Sequence, residues 1–275
     1  MSVVLYLLLS GDMLPLGLTL AAIGVVVARW RALIGSLIVW GGLVGVLVSA
    51  VPLHPSVYLA LLVAGVAWRR GRHAGARLRR GTAAAFVALL AAVLTLHLLG
   101  QSRAEIAPSR FKTVVVLGDS ISAGLGASLE GAWPQLLATR LQMPVSNLAH
   151  AGARLADGIA QARAIPEAPV IVLLELGGND LLGGTDRARF GSDLRSLLAA
   201  VAARDRTVLM FELPLFPLQN SYGRAQRQIC REYGVQLVPR FVLAGAVTLE
   251  GHTTDGLHLS PAGNAWLAAE VAKYL

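Results

Sequence analysis

Hydrophobic positions follow two different rhythms along the chain. In the first hundred residues they run almost unbroken: Met13 to Ala28, Ala32 to Val51, Ser56 to Trp68 and Ala83 to Leu99 are apolar stretches. Arg29-Trp30-Arg31, Pro52-Leu53-His54-Pro55 and the arginine-rich link Arg69 to Arg80 separate them. Runs near the roughly 20 residues a bilayer core requires predict about four membrane-spanning helices. The third is short for the task and crosses only with help from flanking residues, or is re-entrant. Ser2 to Ser10 is apolar but has no basic residue before it and is followed by Asp12, so it reads as an extension of the first helix or an interfacial segment rather than a cleaved signal peptide.

After a polar link at 101–111 the period changes. Lys112 to Leu117, Val170 to Leu176 and Thr207 to Phe211 are short, β-branched, nearly uniformly apolar runs of the kind buried on both faces of a parallel sheet, with Pro144 to Asn147 and Val235 to Val238 as weaker candidates. Helical spacing marks Gly131 to Leu141, Ala156 to Arg163, Ala188 to Ala203 and Arg224 to Tyr233. Ser260-Pro261 is an N-cap and first-turn proline for a last helix running to Tyr274. The expected architecture is an all-α membrane region at 1–100, a linker at 101–111, and an α/β domain at 112–275 built from right-handed βαβ units around an open parallel sheet. In such a sheet ligands bind beyond the carboxyl ends of the strands.

Composition agrees with a chain that is part membrane protein: 55% hydrophobic, 15% charged, mean hydropathy +0.61. The formal charge of +8 lies almost wholly in the first 109 residues, which hold nine arginines and two acidic residues. Basic residues confined to links between apolar runs are a topology signal and not a nucleic-acid footprint. Arg29 and Arg31 share a side with Arg69 to Arg80 if an even number of crossings separates them. The α/β domain, one crossing further on, then faces away from the cytoplasm. The link of about ten residues spans at most roughly 35 Å and holds that domain near the bilayer. Cys230, the single cysteine, has no intrachain partner and excludes a disulfide scaffold; on its expected helix it reads as a small buried residue.

Polar residues gather at the strand ends. The first strand runs into Gly118-Asp119-Ser120-Ile121-Ser122, the second into Asn147 with Gly152 beyond it, the third into Gly177-Gly178-Asn179-Asp180, and Asp255-Gly256-Leu257-His258 precedes the last helix. A serine at a strand-to-helix turn is placed to act as a nucleophile. His258 can be its base, and Asp255, three residues earlier, can curl back to hold the imidazole. The backbone N–H groups of Ser120 and Gly152 and the Asn179 amide can supply an oxyanion hole. Asp119 and Asp180 order their turns by hydrogen bonding. His252 lies outside the Asp-x-x-His spacing, and His150 borders the Gly152 turn.

Residues 112–275 resemble the SGNH (GDSL) hydrolases: Ser120, Gly152, Asn179 and His258 match the four residues that name the family, and Asp255 matches its triad acid. GDSISAG at 118–124, AWPQLL at 132–137, LELGGND at 174–180 and DGLHLSPAGN at 255–264 are similar to the bacterial periplasmic arylesterase, thioesterase and lysophospholipase branch. The resemblance implies a flavodoxin-like three-layer α/β/α hydrolase using neither metal nor organic cofactor. The membrane region departs from that branch, whose members typically follow a cleaved signal peptide.

The fourth strand ends in Leu213-Pro214-Leu215-Phe216-Pro217-Leu218. An apolar rim there, with Leu215 and Phe216 toward substrate, fits acyl chains, though the same residues suit loop packing. The expectation is a serine esterase of amphiphilic acyl esters or thioesters in a bacterial inner membrane, with the lipid bilayer as its partner, its catalytic domain periplasmic, and no nucleic acid bound. One alternative keeps the triad for O-acetyl groups on cell-envelope glycans. Another makes the membrane half a transport or assembly subunit with a docking domain.

Overall fold

In the computed structural model, which describes residues 3–100, 111–202, 205–217 and 219–275, the five expected apolar runs form strands: β1 (Val114–Gly118), β2 (Val145–Asn147), β3 (Val170–Glu175), β4 (Arg206–Phe211) and β5 (Gln236–Val238). All are parallel, in the order β2-β1-β3-β4-β5. Between them run α6 (Trp133–Leu141), α7 (Leu155–Ala162), the single-turn α8 (Gly178–Leu182), α9 (Arg187–Val201), α10 (Asn220–Glu232), α11 (Arg240–Thr248) and α12 (Pro261–Val271). The order reverses between β1 and β3, which opens a crevice beyond their carboxyl ends. Side chains alternate across each strand. Val114, Val116, Ile171 and Leu173 enter a core with Trp133, Leu137, Val242, Leu267 and Val271 from α6, α11 and α12. Val115, Leu117, Val172 and Leu174 are equally buried and by the pleat point to the opposite layer, where Phe190 of α9 meets Tyr222 of α10 edge-on at 5.4 Å. This is the expected α/β architecture around an open parallel sheet.

Ser260 caps α12, its hydroxyl accepting from Gly263 N–H at 3.1 Å, and Pro261 stands in the first turn. Two helices have no counterpart in the periodicity. α8 is a single turn inside Gly-Gly-Asn-Asp, where glycine-rich composition reads as loop. α11 is buried almost all round, so it has no polar face to give a period.

The chain divides into two compact units: Met1–Tyr6 with Arg103–Leu215 and Ser221–Leu275, and Leu7–Ser102 with Phe216–Asn220. Residues 101–110 of the expected linker lie outside the described residues, as do Ala203 at the end of one expected helix and Leu218 in the loop after β4.

The second unit is all-α: α1 (Val3–Ser10), which leads into it, α2 (Met13–Val27), α3 (Ala32–Val48), α4 (Pro55–Gly71) and α5 (Ala76–Leu99). Its helices fall where expected, but their membrane-spanning character is reduced. Among the described residues one helix, α5, is long and apolar enough to cross a bilayer by itself. The α1–α2 pair passes only jointly and is bent by 97°, and α3 is a shorter apolar helix. The reason is chain breaks: Gly11-Asp12 separates α1 from α2, so the segment before it does not extend the first helix, α3 stops at Val48 short of Pro52, and α4 ends in Arg69 and Arg70. α5, by contrast, starts at Ala76 and takes Arg77, Arg79 and Arg80 into its first turns.

α2 and α3 pack at backbone contact. A Cβ on Gly17 would lie 2.5 Å from the Gly42 carbonyl oxygen, and one on Gly24 would lie 2.6 Å from Val39 N, the close approach that small residues permit between helices. Arg72, just past α4, donates to the Ala32 carbonyl at 3.1 Å and to the Ser36 hydroxyl at the start of α3, and stacks 5.3 Å over Trp68. The link after α4 and the Arg29–Arg31 turn therefore meet at one end of this unit.

Candidate active site

β1 delivers Ser120 into the crevice at the order reversal, and Gly118 lets the chain turn there. A Cβ on Gly118 would lie 2.5 Å from the Ser122 Cβ and Oγ and 3.2 Å from Glu175 Oε2. Gln161 of α7 brackets the same peptide, donating to Gly118 O at 2.9 Å and accepting from its N–H at 3.0 Å. Ser120 is half-buried. Asp119 is 4% exposed, and its Oδ1 accepts from Ile121 N–H at 3.0 Å, an Asx turn that orders the nucleophile loop.

The segment between Thr253 and Leu259 closes on itself. Those two residues form an antiparallel bridge, and Thr254 N–H donates to His258 O at 2.9 Å. Inside it Asp255 Oδ1 accepts from the N–H groups of Leu257 (2.9 Å) and His258 (2.8 Å), while Oδ2 meets His258 Nδ1 at 2.6 Å. The His258 N–H, then the imidazole and the Leu257 N–H, hold the Asp255 carboxyl below the usual carboxylate range. His258 lies close enough to Asp119 for its charge to act on that carboxyl. A Cβ on Gly126, at the end of the nucleophile turn, would sit 3.8 Å from His258 Cβ. Among the described residues no hydrogen bond joins the His258 ring to the Ser120 hydroxyl.

The Ser120 and Gly152 N–H groups have no hydrogen-bond partner among the described residues. Gly152 is exposed, with φ +79°, a conformation that favours glycine. Asn179, half-buried at the start of α8, differs from expectation. Its Nδ2 donates to both Asp119 Oδ2 (3.1 Å) and the Ala153 carbonyl (3.0 Å), so both amide hydrogens are committed in the free enzyme. Two donors stand free and the third is held in a network. Asp180 is buried and accepts from Leu155 N–H at 3.0 Å, fixing the start of α7.

Three residue groups escaped sequence reasoning. Glu175, the last residue of β3, is 2% exposed and accepts the Ser122 hydroxyl at 2.8 Å. Burial first, and the Asp119 charge second, push its carboxyl well above the usual range. Asn264 of α12 accepts from Trp133 N–H at 2.9 Å and donates to Ser260 O at 3.0 Å, joining α6 to the His258 side. Arg240 and Gln226 clamp the loop after β4. Arg240 donates to Leu213 O at 2.8 Å and to buried Glu212 at 2.9 Å, and Gln226 accepts from Leu213 N–H at 3.1 Å. Motif quotation covered Glu175 and Asn264 without giving either a task; nothing in the local pattern marks Arg240.

Leu215 is fully buried and belongs to the packing of that loop, where it has no surface to offer an acyl chain. Phe216 is half exposed and falls in the segment that clusters with the helical unit. His252 is committed elsewhere, Nδ1 lying 3.1 Å from Gly245 O with Trp266 beside the ring. His150 is exposed. Cys230 is buried, its thiol pushed up to about 12 by burial and by Glu212. Among the described residues no group of three or more His, Cys, Asp or Glu is placed to hold a metal ion.

The family model described as "GDSL-like Lipase/Acylhydrolase family" matches residues 116–266. The chain belongs to that family. The hydrolase is 31% identical over 175 residues to "Thioesterase 1/protease 1/lysophospholipase L1" of Escherichia coli (strain K12), covering 59% of this chain and 83% of that one. It is 29% identical over 204 residues to "Arylesterase" of Vibrio mimicus, covering 69% and 98%. Among solved structures, "Crystal Structure of TesA" superposes with a TM-score of 0.54 at 32% identity, covering 59% of this chain and 97% of that one. The protein is an ester-hydrolysing serine hydrolase.

Proposed function

We propose that the protein is a membrane-anchored esterase of amphiphilic acyl esters or thioesters, with Ser120, His258 and Asp255 as its triad. The observation that carries the assignment is the 2.6 Å Asp255–His258 pair, held in a self-closed loop beside the turn that presents Ser120. Asp255 fixes the imidazole with Nδ1 protonated, leaving Nε2 as the base. Ser120 Oγ attacks the acyl carbonyl carbon as its proton passes to His258 Nε2. The tetrahedral oxyanion is met by the free N–H groups of Ser120 and Gly152. Asn179 joins them by turning one amide hydrogen away from Asp119 or Ala153 as the charge develops. Collapse breaks the ester C–O or thioester C–S bond, and His258 returns the proton to the leaving alcohol or thiol. Water then repeats the sequence on the acyl-enzyme.

Anchoring is supported by the surface of the helical unit. Leu16, Leu20, Ile23, Leu33, Leu37 and Leu59 are among many large apolar side chains left exposed there, a number that suits a lipid-facing surface better than an aqueous one. The meeting of Arg72 with the start of α3 puts the two arginine links at one end, the arrangement a cytoplasmic end takes. The hydrolase domain is then periplasmic, in a bacterial inner membrane. The amphiphilic substrate class draws on the relatives named thioesterase, lysophospholipase and arylesterase, and on the high effective concentration of lipid-like substrates near a bilayer.

The test is hydrolysis of p-nitrophenyl esters of graded chain length by purified full-length protein, with Ser120→Ala as control and a fluorophosphonate to trap the nucleophile. Activity that survives in Ser120→Ala, or an adduct on another residue, overturns the triad. A preference confined to acetyl esters overturns the substrate class. Alkaline phosphatase fused after Leu275 reports topology, and an inactive fusion places the domain in the cytoplasm.

A further inference from the structure

Asp119 and Glu175 bring two buried carboxyl groups together directly under the proposed nucleophile, and the triad mechanism uses neither. Glu175 ends β3 opposite Gly118 of β1. Its Oε2 accepts from the Ser122 hydroxyl at 2.8 Å and from Asp119 N–H at 3.4 Å, so it ties the turn on both sides of Ser120. The Asp119 carboxyl, 4% exposed, lies beside it and its charge acts on Glu175. Asp119 in turn accepts from Ile121 N–H at 3.0 Å and from Asn179 Nδ2 at 3.1 Å. Two buried carboxyl groups so placed repel each other when both are ionised, and one proton between them relieves that repulsion.

We propose that Glu175 is a positioning residue of the esterase: a protonated carboxylic acid that donates to the Asp119 carboxylate, and through it sets the Ser120 turn and the Asn179 amide. The inference rests on the roles given above to Ser120 and Asn179.

The partition of the single proton follows from the partners. Among the described residues neither carboxyl is in an ion pair with a lysine or arginine; the Asp119 charge acts on Glu175, and the His258 charge on Asp119. With no such ion pair, one negative charge is the stable state of the two carboxyl groups. Asp119 has the better place for it. It accepts from the Ile121 N–H and the Asn179 amide, and the charge of His258 favours its ionised form. Glu175 has one hydroxyl and one long N–H contact. Burial raises the proton affinity of both carboxyl groups, and that of Glu175 further. Ionising Glu175 sets two like charges against each other behind Ser120 and removes the donor that balances Asn179 on Asp119.

Glutamine reproduces a protonated glutamate here: its oxygen accepts from Ser122 and Asp119 N–H, and its amide donates to the Asp119 carboxylate. The full-length enzyme is compared with E175Q, E175A and S120A by steady-state hydrolysis of a p-nitrophenyl ester at neutral pH. Infrared difference spectra report the C=O stretch of a protonated buried carboxyl. E175Q is expected within about threefold of wild-type kcat, both hydrogen bonds being kept, and E175A down roughly 10- to 100-fold with KM little changed, the Asp119 charge having lost a donor. The wild-type spectrum holds a protonated-carboxyl band at neutral pH that E175Q lacks. E175Q impaired as severely as E175A, or a wild-type spectrum without a band that E175Q removes, overturns the proposal. Should E175A fail to fold, E175Q and the infrared band still decide it. S120A separates the two readings: an active S120A refutes the triad, while the band alone still judges the proton on Glu175.

Discussion

Replacing Asn179 by alanine removes one nitrogen that does two things, and the two losses are separately measurable. In the free enzyme Nδ2 serves Asp119 Oδ2 at 3.1 Å and Ala153 O at 3.0 Å, and both acceptors belong to buried residues. The bond to the charged carboxylate contributes about 1.5–3 kcal/mol and the bond to the carbonyl about 1 kcal/mol. Their loss lowers stability by roughly 2–4 kcal/mol, or about 5–15 °C in Tm for a domain of this size. In the proposed mechanism the same amide turns to the oxyanion, and an oxyanion donor is worth roughly 10²- to 10³-fold in kcat. Calorimetry and steady-state kinetics on one preparation of Asn179→Ala should therefore show both effects, with KM little altered. A fall in Tm with kcat intact would make Asn179 a strut only. A fall in kcat with Tm intact would refute the two committed bonds.

Asp255→Asn keeps acceptors for the Leu257 and His258 N–H groups but turns an amide toward Nδ1, favouring the wrong imidazole tautomer; kcat should fall by roughly 10⁴-fold, and a loss under tenfold contradicts the Asp255 role. Gly118→Ala places a methyl 2.5 Å from Ser122 and should destabilise by about 1–3 kcal/mol in denaturant titration, while slowing fluorophosphonate labelling; unchanged stability and labelling refute the close approach. Cys230, whose thiol is raised to about 12 chiefly by burial, should react with a thiol reagent at neutral pH only after unfolding. Rapid stoichiometric reaction of the native enzyme argues against that burial.

The sheet was legible because β-branched runs such as Val114–Leu117 and Val170–Leu174 are buried on both faces and so carry their signature in composition alone. The Asp255–His258 pair and the place of Ser120 past β1 were legible because a short spacing and a strand-end position constrain them locally. Glu175 was not, because its task arises from tertiary pairing: Ser122 lies 53 residues away in sequence, and only the β1–β3 register brings Gly118 and Glu175 together. Arg240 and Leu215 were opaque for the same reason, since a charged or apolar residue near a strand end carries no mark of whether it faces solvent, substrate or core. In the helical half, hydropathy located the helices but not their ends: α2 and α3 stop short of the ends of their apolar runs, while α4 and α5 extend past theirs into the arginine-rich link. It averages over breaks such as Gly11-Asp12, which the backbone does not ignore.

The loop from Thr253 to Leu259 closes on itself, and that makes Asp255 and His258, the acid and base of the proposed triad, one mechanical body. Within it the Asp255–His258 bond is fixed by bridge, backbone and carboxylate contacts, while Ser120 rides on a turn belonging to another strand. Small displacements of the domain therefore leave a single variable coordinate, the gap between imidazole and hydroxyl. Mild heating or low denaturant should then silence the enzyme by widening that gap while the acid–base pair is still spectroscopically native. Activity becomes a finer gauge of the separation between these two bodies than any signal reporting on either one alone.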